Sequence, residues 1–305
     1  MIHHVYGINV ESEFELPAPH ANDGAAVADL VVRRRSVDFA TTRFAALEGV
    51  DDETEVWIEQ GWGEGRVTLR FPDLFAELTE DEIGIDPLEV VDADYLAHVI
   101  LDHVVPRWLA LRGDLVLHGG SAVMPNGHAV AFIGDSGSGK SSLTTALGRQ
   151  GWPVLGDDAV RLVRGEGRWL VMPAYPGTRL LGDSRRALSP GTRSTPMSAG
   201  DDKHRLIADV PTAKGAVRLG LVVALGDDHA VPVTARLSLA EATAGLVKHS
   251  FYLAPTRGEV APRAFVQSSE LAEAVPCVRL DFPRQWDVYP KLAQMLDELS
   301  PPVAP

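Results

Sequence analysis

The chain has 305 residues, of which 45% are hydrophobic and 23% charged, as is typical of a soluble globular protein with one large domain or two moderate ones. Its formal net charge of -14 argues against a general nucleic-acid or membrane-surface binder, because both classes depend on basic patches. A single cysteine, Cys277, excludes an internal disulfide and a cysteine-based zinc site. Neither a signal peptide nor a bilayer-spanning stretch is evident, so we expect a cytoplasmic protein that binds neither nucleic acid nor membrane.

The first 90 residues carry strand patterns and no helix of convincing length. Residues 55–60 and 65–71 alternate apolar and polar side chains on either side of Gly61-Trp62-Gly63, which predicts a hairpin with its turn at those three residues. We therefore expect a small antiparallel β module over residues 1–90 and a second domain over residues 91–305. No proline- or serine-rich linker separates them, which favours two packed parts over two tethered ones.

The pattern changes to a helical period after residue 91. Asp92 or Asp94 is a suitable N-cap, and apolar residues recur at helical spacing as far as Leu111. Pro106 is expected to bend or split this helix, because proline lacks the backbone N–H that continues the hydrogen-bond ladder. Gly113 is a natural terminator.

A hairpin is predicted next, and it leads into a glycine-rich loop. The segment 115–123 and the segment 128–133 are strand-like, with the turn signal Pro125-Asn126-Gly127 between them. A helical pattern begins at Ser141. A hairpin that leads into such a loop predicts a mixed sheet rather than an all-parallel one.

The loop itself matches the G-x-x-x-x-G-K-[ST] pattern of a phosphate-binding loop. Glycines allow the backbone to wrap closely around a polyphosphate, while the N–H groups and the helix N-terminus face the anion. Lys140 is expected to reach the β- and γ-phosphates and Ser141 to bind Mg²⁺. The predicted nucleotide-binding residues are Gly134, Asp135, Ser136, Gly137, Ser138, Gly139, Lys140, Ser141 and Ser142.

An acidic pair follows the next strand pattern. Residues 151–162 predict a strand that ends at Asp157 and Asp158, and the carboxyl ends of strands line the ligand cleft in α/β proteins. One carboxylate can help to hold Mg²⁺ and the other can accept a proton from an attacking hydroxyl or water, and the alternative is a solvated turn. His118, in the strand before the loop strand, either reaches the transferred phosphate or is a core histidine bonded to a carbonyl.

Residues 183–205 are polar and basic, which indicates a mobile surface loop or a segment that faces the substrate. After it, the sequence predicts a strand at 216–225, a helix from the capping box Ser238-x-x-Glu241, a strand at 278–282 and an amphipathic helix at 288–299.

Three segments in this order resemble the catalytic domain of the HPr kinase/phosphorylase family. They are His118-Gly119, the loop at 134–142, and Gly156-Asp157-Asp158-Ala159-Val160, so the resemblance covers about residues 112–165. It implies an α/β fold with α+β character, a P-loop and a mixed sheet related to phosphoenolpyruvate carboxykinase. It also implies an ATP- and Mg²⁺-dependent serine kinase with Lys140 at the phosphates, Asp157 as base, Ser141 and Asp158 at the metal, and His118 lining the phosphate site.

The chain departs from that family in two ways. The family's E-I-R-G-x-G-type segment has no counterpart here, and the N-terminal third differs. The β module and the segment 175–180 instead resemble the short HPr-kinase-like proteins of lasso peptide biosynthesis, which phosphorylate the C-terminal serine of the precursor peptide. The resemblance thus implies a peptide partner, whose carboxylate, or the nucleotide phosphates, could be held by Arg179, Arg185, Arg186, Lys203 and Arg205.

Two other functions stay open from the sequence. One is a nucleotide-binding regulatory or scaffold protein without turnover, which the missing family segment favours. The other is an HPr-type protein kinase or a small-molecule kinase that uses the same site. The oligomeric state is also open, although related kinases are hexamers and a homo-oligomer is compatible with the sequence.

Overall fold

A computed structural model of the chain describes residues 1–21, 26–38, 43–48, 58–63, 66–88, 90–196, 202–206, 210–251 and 260–299. The chain divides into two compact units. Unit 1 comprises Met1–Gly113 and Tyr252–Ala261, and unit 2 comprises Asp114–Phe251 and Pro262–Pro305. The domain boundary near residue 90 that the sequence favours stays a prediction.

Unit 1 is built on one eight-stranded sheet with the order β1-β2-β3-β8-β7-β6-β5-β4. Its strands are β1 (Ile2–Val5), β2 (Ile8–Ser12), β3 (Leu30–Arg34), β4 (Arg43–Glu48), β5 (Ile58–Gly63), β6 (Arg66–Arg70), β7 (Leu74–Leu78) and β8 (Glu82–Pro87).

The sheet of unit 1 is mixed, which corrects the prediction of an antiparallel module. Strand β3 pairs in parallel with both β2 and β8, whereas β4 to β8 form an antiparallel meander. The predicted hairpin exists as β5 and β6, but Gly61, Trp62 and Gly63 lie within β5 rather than in the turn. Local alternation indicates strands but does not identify partners that are distant in sequence, and the β3–β8 pairing is of that kind.

The predicted helix after residue 91 forms with a change of winding in its middle. Helix α1 (Ala93–His98) is capped by the Asp92 carboxylate, which accepts hydrogen bonds from the N–H groups of Asp94 and Tyr95 at 3.0 Å each. A π-helical segment covers Val99–Val104 and α2 covers Val105–Leu111. Pro106 stands in the first turn of α2, where its missing N–H costs least. The π-helical segment directly before it is the irregularity that the proline predicted.

Unit 2 carries the glycine-rich loop and alternates strands with helices. Its elements are β9 (Leu115–Val123), β10 (Ala129–Ile133), α3 (Lys140–Arg149), β11 (Val154–Gly156), β12 (Ala159–Gly165), β13 (Arg168–Met172), β14 (Thr178–Leu181), α4 (Gly182–Leu188), β15 (Ser194–Pro196), β16 (Lys203–Leu206), β17 (Val217–Leu225), β18 (Val233–Arg236), α5 (Leu239–Lys248), α6 (Val260–Ala274), β19 (Cys277–Asp281), a 3₁₀ turn (Trp286–Val288) and α7 (Tyr289–Glu298).

The sheet of unit 2 is mixed, and the loop strand β10 lies inside it. Strand β10 pairs antiparallel with β9, as the predicted hairpin requires, and parallel with β17 on its other edge. Strand β19 continues the sheet in parallel beside β17, and β12 and β11 pair with β9. The mixed α/β architecture expected from the sequence is thus confirmed, and the helix that follows the loop begins at the carboxyl end of β10.

Strand β10 separates two hydrophobic cores because its side chains alternate between the two faces of the sheet. Val130 and Phe132 pack in one core with apolar residues of α3 and α7. Ala129, Ala131 and Ile133 pack in the other core, with residues of α5 and α6. The loop therefore extends from a strand whose side chains are all buried.

The basic segment 183–205 is largely ordered structure rather than a loop. It contributes α4, β15 and β16, and β14, β16 and β15 form a three-stranded antiparallel sheet in that order. Within the described part of the chain, none of the helices is long and apolar enough to cross a membrane.

Candidate active site

The glycine-rich loop connects β10 to the first turn of α3. Gly139 stands at the N-cap of α3 with a φ of 93°, which a residue with a Cβ rarely adopts. A Cβ on Gly134 would lie 2.7 Å from the Ser138 Oγ, so the loop closes tightly at its base. The tip of the loop, Asp135 to Gly137, is exposed. The structure thus presents an open, strongly curved backbone at a helix N-terminus, which is the geometry that binds anions.

Lys140 lies inside the curve of the loop. Its ammonium group donates hydrogen bonds to the carbonyl oxygens of Gly134 at 2.8 Å and of Asp135 at 2.9 Å. Burial lowers its pKa, and the negative charges of Asp158 and Asp157 oppose that shift. The cation is therefore held by two carbonyl oxygens of the loop and is stabilised by the charges of the acidic pair.

The acidic pair directly follows the end of strand β11, as the sequence predicts, and a second strand, β12, begins directly after it. Asp157 and Asp158 separate β11 from β12, and both strands pair with β9. Asp158 has a φ of 79°, an uncommon conformation for a residue with a side chain. With this backbone conformation both adjacent carboxylates are buried: Asp157 is only 1% exposed and Asp158 is 7% exposed. The alternative of a solvated turn is therefore wrong.

The two carboxylate oxygens of Asp157 differ in their hydrogen bonding. Its Oδ2 accepts a hydrogen bond from the backbone N–H of Arg179 at 2.8 Å. Its Oδ1 is buried and has no hydrogen-bond partner among the residues that the structure describes. Burial, together with the charge of Asp158, raises the pKa of Asp157 to about 6. A carboxylate with this pKa is largely ionised at neutral pH and can still accept a proton.

Arg179 holds the acidic pair in place. Its Nη1 donates to the Asp157 carbonyl oxygen at 2.7 Å, and its Nε lies 2.9 Å from the Asp158 Oδ2. Its Nη2 donates to the hydroxyl of Tyr175, whose ring lies under the guanidinium at 4.9 Å. The side chain is 1% exposed. The prediction that Arg179 binds a peptide carboxylate or nucleotide phosphates is therefore wrong, because its donors face the acidic pair and Tyr175.

The other basic residues of this segment have varied surroundings. Lys203 extends from β16 towards the acidic pair, and its Nζ lies 3.6 Å from the Asp158 Oδ1. Arg185 donates to the Ser194 hydroxyl at 3.1 Å, Arg186 pairs with Asp183 at the surface, and Arg205 is buried. Lys203 is thus close to the acidic pair, and the substrate-binding roles of all four residues stay predictions.

His118 stands where β9 changes partner. Residues up to His118 pair with β12, and residues from Gly119 onward pair with β10. The backbone N–H of His118 donates to the carbonyl oxygen of His249 at 2.6 Å. Burial and the nearby charge of Lys140 lower the pKa of His118 to about 4, so the imidazole is neutral at physiological pH. His118 lies beside the acidic pair, because it is paired with Ala159 of β12 and the N–H of the next residue, Gly119, donates to the Asp158 carbonyl oxygen at 3.0 Å.

A close backbone approach at Gly120 connects the acidic pair to the helix after the loop. A Cβ on Gly120 would lie 2.2 Å from the Thr144 Oγ1 and 3.6 Å from the Asp157 Oδ1. Thr144 is on α3 and is fully buried. The Asp157 carboxylate therefore packs against both β9 and α3, the two elements adjacent to the loop.

Two contacts at the loop have no counterpart among the sequence predictions. The Lys248 Nζ lies 2.5 Å from the Asp135 Oδ1, at the loop tip. Arg284, beyond β19, donates from Nη1 to the Ser138 carbonyl oxygen and from Nη2 to the Gly226 carbonyl oxygen, each at 2.6 Å. Sequence patterns give no signal for either contact, because both depend on which loops meet at the carboxyl edge of the sheet.

The oxygen groups around the loop fit a hard cation such as Mg²⁺. Ser141 lies in the first turn of α3, and the buried acidic pair supplies carboxylate oxygens, the ligand type that Mg²⁺ prefers. The Asp158 oxygens already face the Arg179 Nε and the Lys203 Nζ. The prediction that Asp158 contributes to a metal site stays a prediction.

No protein-family model matches the chain, and no curated protein matches it. Among solved structures, the chain is similar to the Hpr(Ser) kinase/phosphatase from Coxiella burnetii, with 13% sequence identity and a TM-score of 0.33 over 60% of this chain and 95% of that chain. At this low similarity, the chemistry assigned to the site has to come from its own side chains.

Proposed function

We propose that this protein is an ATP- and Mg²⁺-dependent kinase that phosphorylates a serine hydroxyl. The observation that carries the proposal is the Asp157 carboxylate, which is buried beside a lysine-bearing anion loop and keeps Oδ1 without a partner among the described residues. Burying such a partly unsatisfied carboxylate costs stability, and a role as the base of a phosphotransferase gives a reason for that cost.

Each group of residues has a separate role in phosphoryl transfer. The loop N–H groups and Lys140 hold the phosphates, and Asp157 accepts the proton of the acceptor hydroxyl. The hydroxyl oxygen then forms a bond to the γ-phosphorus while the bond between that phosphorus and the β–γ bridging oxygen breaks, which releases ADP. Ser141 and an acidic oxygen would hold Mg²⁺, which would neutralise part of the phosphate charge. Arg179 and Lys203 keep two adjacent carboxylates compatible in one buried site.

The narrower proposal concerns the acceptor. The sequence resemblance to the HPr-kinase-like proteins of lasso peptide biosynthesis supports a peptide substrate, and in particular the C-terminal serine of a lasso precursor. Lys203 is suited to contact the peptide's carboxylate, because its side chain is one-third exposed beside the acidic pair. We further propose that the protein acts in the cytoplasm, where ATP is available.

The test is a transfer assay with the full chain, ATP and Mg²⁺. Precursor-type peptides ending in serine are compared with the same peptides ending in alanine, and with peptides that carry serine only at internal positions. The proposal predicts a mass gain of one phosphoryl group on the serine-terminated peptides alone. Transfer to internal serines would support the proposed kinase activity but would contradict the proposal that the acceptor is the C-terminal serine. Nucleotide binding without transfer to any hydroxyl would favour the regulatory alternative.

A further inference from the structure

An exposed tryptophan lies two residues after Arg284, whose guanidinium contacts the loop. The structure describes the side chains of four tryptophans, of which Trp108, Trp152 and Trp169 are buried, whereas Trp286 is 42% exposed. The Trp286 ring is inclined by 26° to the ring of the buried Tyr289, with 6.2 Å between their centroids. The indole is therefore supported on one side by Tyr289 and is accessible to solvent on its remaining surface.

The segment that carries this aromatic pair contacts the loop and the helix after it. Tyr289 packs in the same hydrophobic core as Leu143 and Leu147 of α3. Two residues before Trp286, the guanidinium of Arg284 donates to the Ser138 carbonyl oxygen and lies over the Phe282 ring at 4.1 Å. The segment Phe282–Tyr289 is therefore held against the loop at Ser138 and against α3.

The acidic pair and this segment lie on opposite edges of the loop strand. Asp157 and Asp158 adjoin β9, which pairs with one edge of β10, and the Asp158 carbonyl oxygen accepts from the Gly119 N–H. Phe282 follows β19, which lies beyond β17 on the other edge of β10. A polyphosphate that crosses the loop from the acidic pair would therefore extend towards the edge of the sheet after which Trp286 follows.

We infer that Trp286 is the stacking surface for the purine base of the nucleotide whose phosphates the loop holds. This inference rests on the proposed function. Nucleobases stack on exposed aromatic rings, and removal of such a ring lowers affinity by about 5- to 100-fold per base. The indole supplies the apolar face, and the Arg284 guanidinium next to it adds a positive charge near the α-phosphate end.

The test compares ATP with inorganic tripolyphosphate, which carries the same kind of phosphate chain and no base. Binding of each, with Mg²⁺ present, is measured on the full chain by calorimetry, for the unaltered protein and for Trp286→Ala, Trp286→Phe and Lys140→Ala. We expect Trp286→Ala to weaken ATP about 5- to 100-fold and to leave tripolyphosphate unchanged, whereas Trp286→Phe retains most of the ATP affinity. Lys140→Ala should weaken both ligands. ATP should also quench tryptophan emission in the unaltered protein and not in Trp286→Phe.

The outcomes separate this inference from the proposed function. Equal ATP affinity in the unaltered protein and in Trp286→Ala would overturn the stacking role while leaving the kinase proposal intact. Equal loss of ATP and tripolyphosphate affinity in Trp286→Ala would show that the indole supports the loop and does not bind the base. Failure of the unaltered protein to bind either ligand would reject both proposals. Folding of each variant is checked by circular dichroism.

Discussion

The backbone N–H of Arg179 donates to the Asp157 Oδ2 while the guanidinium of the same arginine donates to the Asp157 carbonyl oxygen. Arg179 thus forms hydrogen bonds with both the side chain and the main chain of Asp157. Because the Arg179 Nε also lies 2.9 Å from Asp158, this arginine determines where both carboxylates stand and limits their repulsion. The chemistry and the stability of the site both depend on this arrangement and on the loop beside it.

Replacing Arg179 should destabilise the protein and alter the titration of the acidic pair. Arg179→Leu leaves two buried carboxylates without their closest cation, a type of loss that costs roughly 3–5 kcal/mol. Denaturant unfolding at pH 7.5 should show this loss. The pH below which the transfer rate falls should also rise, because Arg179 no longer favours the ionised form of Asp157. Arg186→Leu is the control, since Arg186 is exposed. Unchanged stability and an unchanged acid limb in Arg179→Leu would show that Arg179 does not position the pair.

The transfer rate should depend on pH through Asp157. Because burial and Asp158 raise its pKa to about 6, the base becomes protonated as the pH falls through that value. We expect kcat/KM to fall about tenfold per pH unit below about 6. His118 and His249 do not produce this limb, because burial lowers the pKa of each to about 4. A profile that stays flat from pH 7.5 to pH 5 would exclude Asp157 as the base.

The raised pKa of Asp157 also makes the stability of the folded protein depend on pH, because ionisation of this buried group is unfavourable. The pKa of Asp157 is higher in the folded chain than its ordinary value of 3.8, so the folded state binds the proton more tightly. The stability that protonation contributes is complete below about pH 4 and is lost as the pH rises to about 6. Asp157→Asn, which carries no charge, should therefore be more stable than the unaltered protein at pH 7.5, by on the order of 1 to 3 kcal/mol. Urea unfolding of both proteins at pH 4 and pH 7.5 checks the sign, and equal differences at both pH values would contradict it.

The backbone approach at Gly120 should tolerate no side chain. Gly120→Ala places a methyl group 2.2 Å from the Thr144 Oγ1, which forces α3 and β9 apart and displaces Asp157. Overpacking of this kind costs about 1–3 kcal/mol, and the transfer rate should fall with it. Gly215→Ala is the matched control, because nothing lies within 4 Å of a Cβ built there. Thr144→Ala in the Gly120→Ala chain should restore part of the loss, and a Gly120→Ala variant of normal stability and rate would refute the packing argument.

Local patterns in the sequence predict much of the fold, but they do not predict which distant segments pair with each other. The strand before the loop, the helix after it and the capping box at Ser238 follow from short-range patterns, and the structure has all three. The parallel pairing of β3 with β8 depends on partners far apart in the chain, and so does the pairing of β14 with β16, which are separated by α4 and β15. Arg179 is recognisable in the sequence as a basic residue, but its burial between Tyr175 and the acidic pair is reached only when β14 pairs with β16. Trp286 gives no signal, because an isolated aromatic residue in a sequence predicts neither exposure nor a neighbour.

The most direct measurement is the single-turnover rate of phosphoryl transfer in Asp157→Asn, with ATP affinity measured on the same sample. Removal of a general base costs about 10²- to 10⁴-fold in rate, while the loop and Lys140 continue to hold the nucleotide. Asp183→Asn serves as control, because the Asp183 side chain is 85% exposed on α4. The account predicts a loss of that size with unchanged ATP affinity in Asp157→Asn and full activity in Asp183→Asn. Transfer by Asp157→Asn at the rate of the unaltered protein would contradict it.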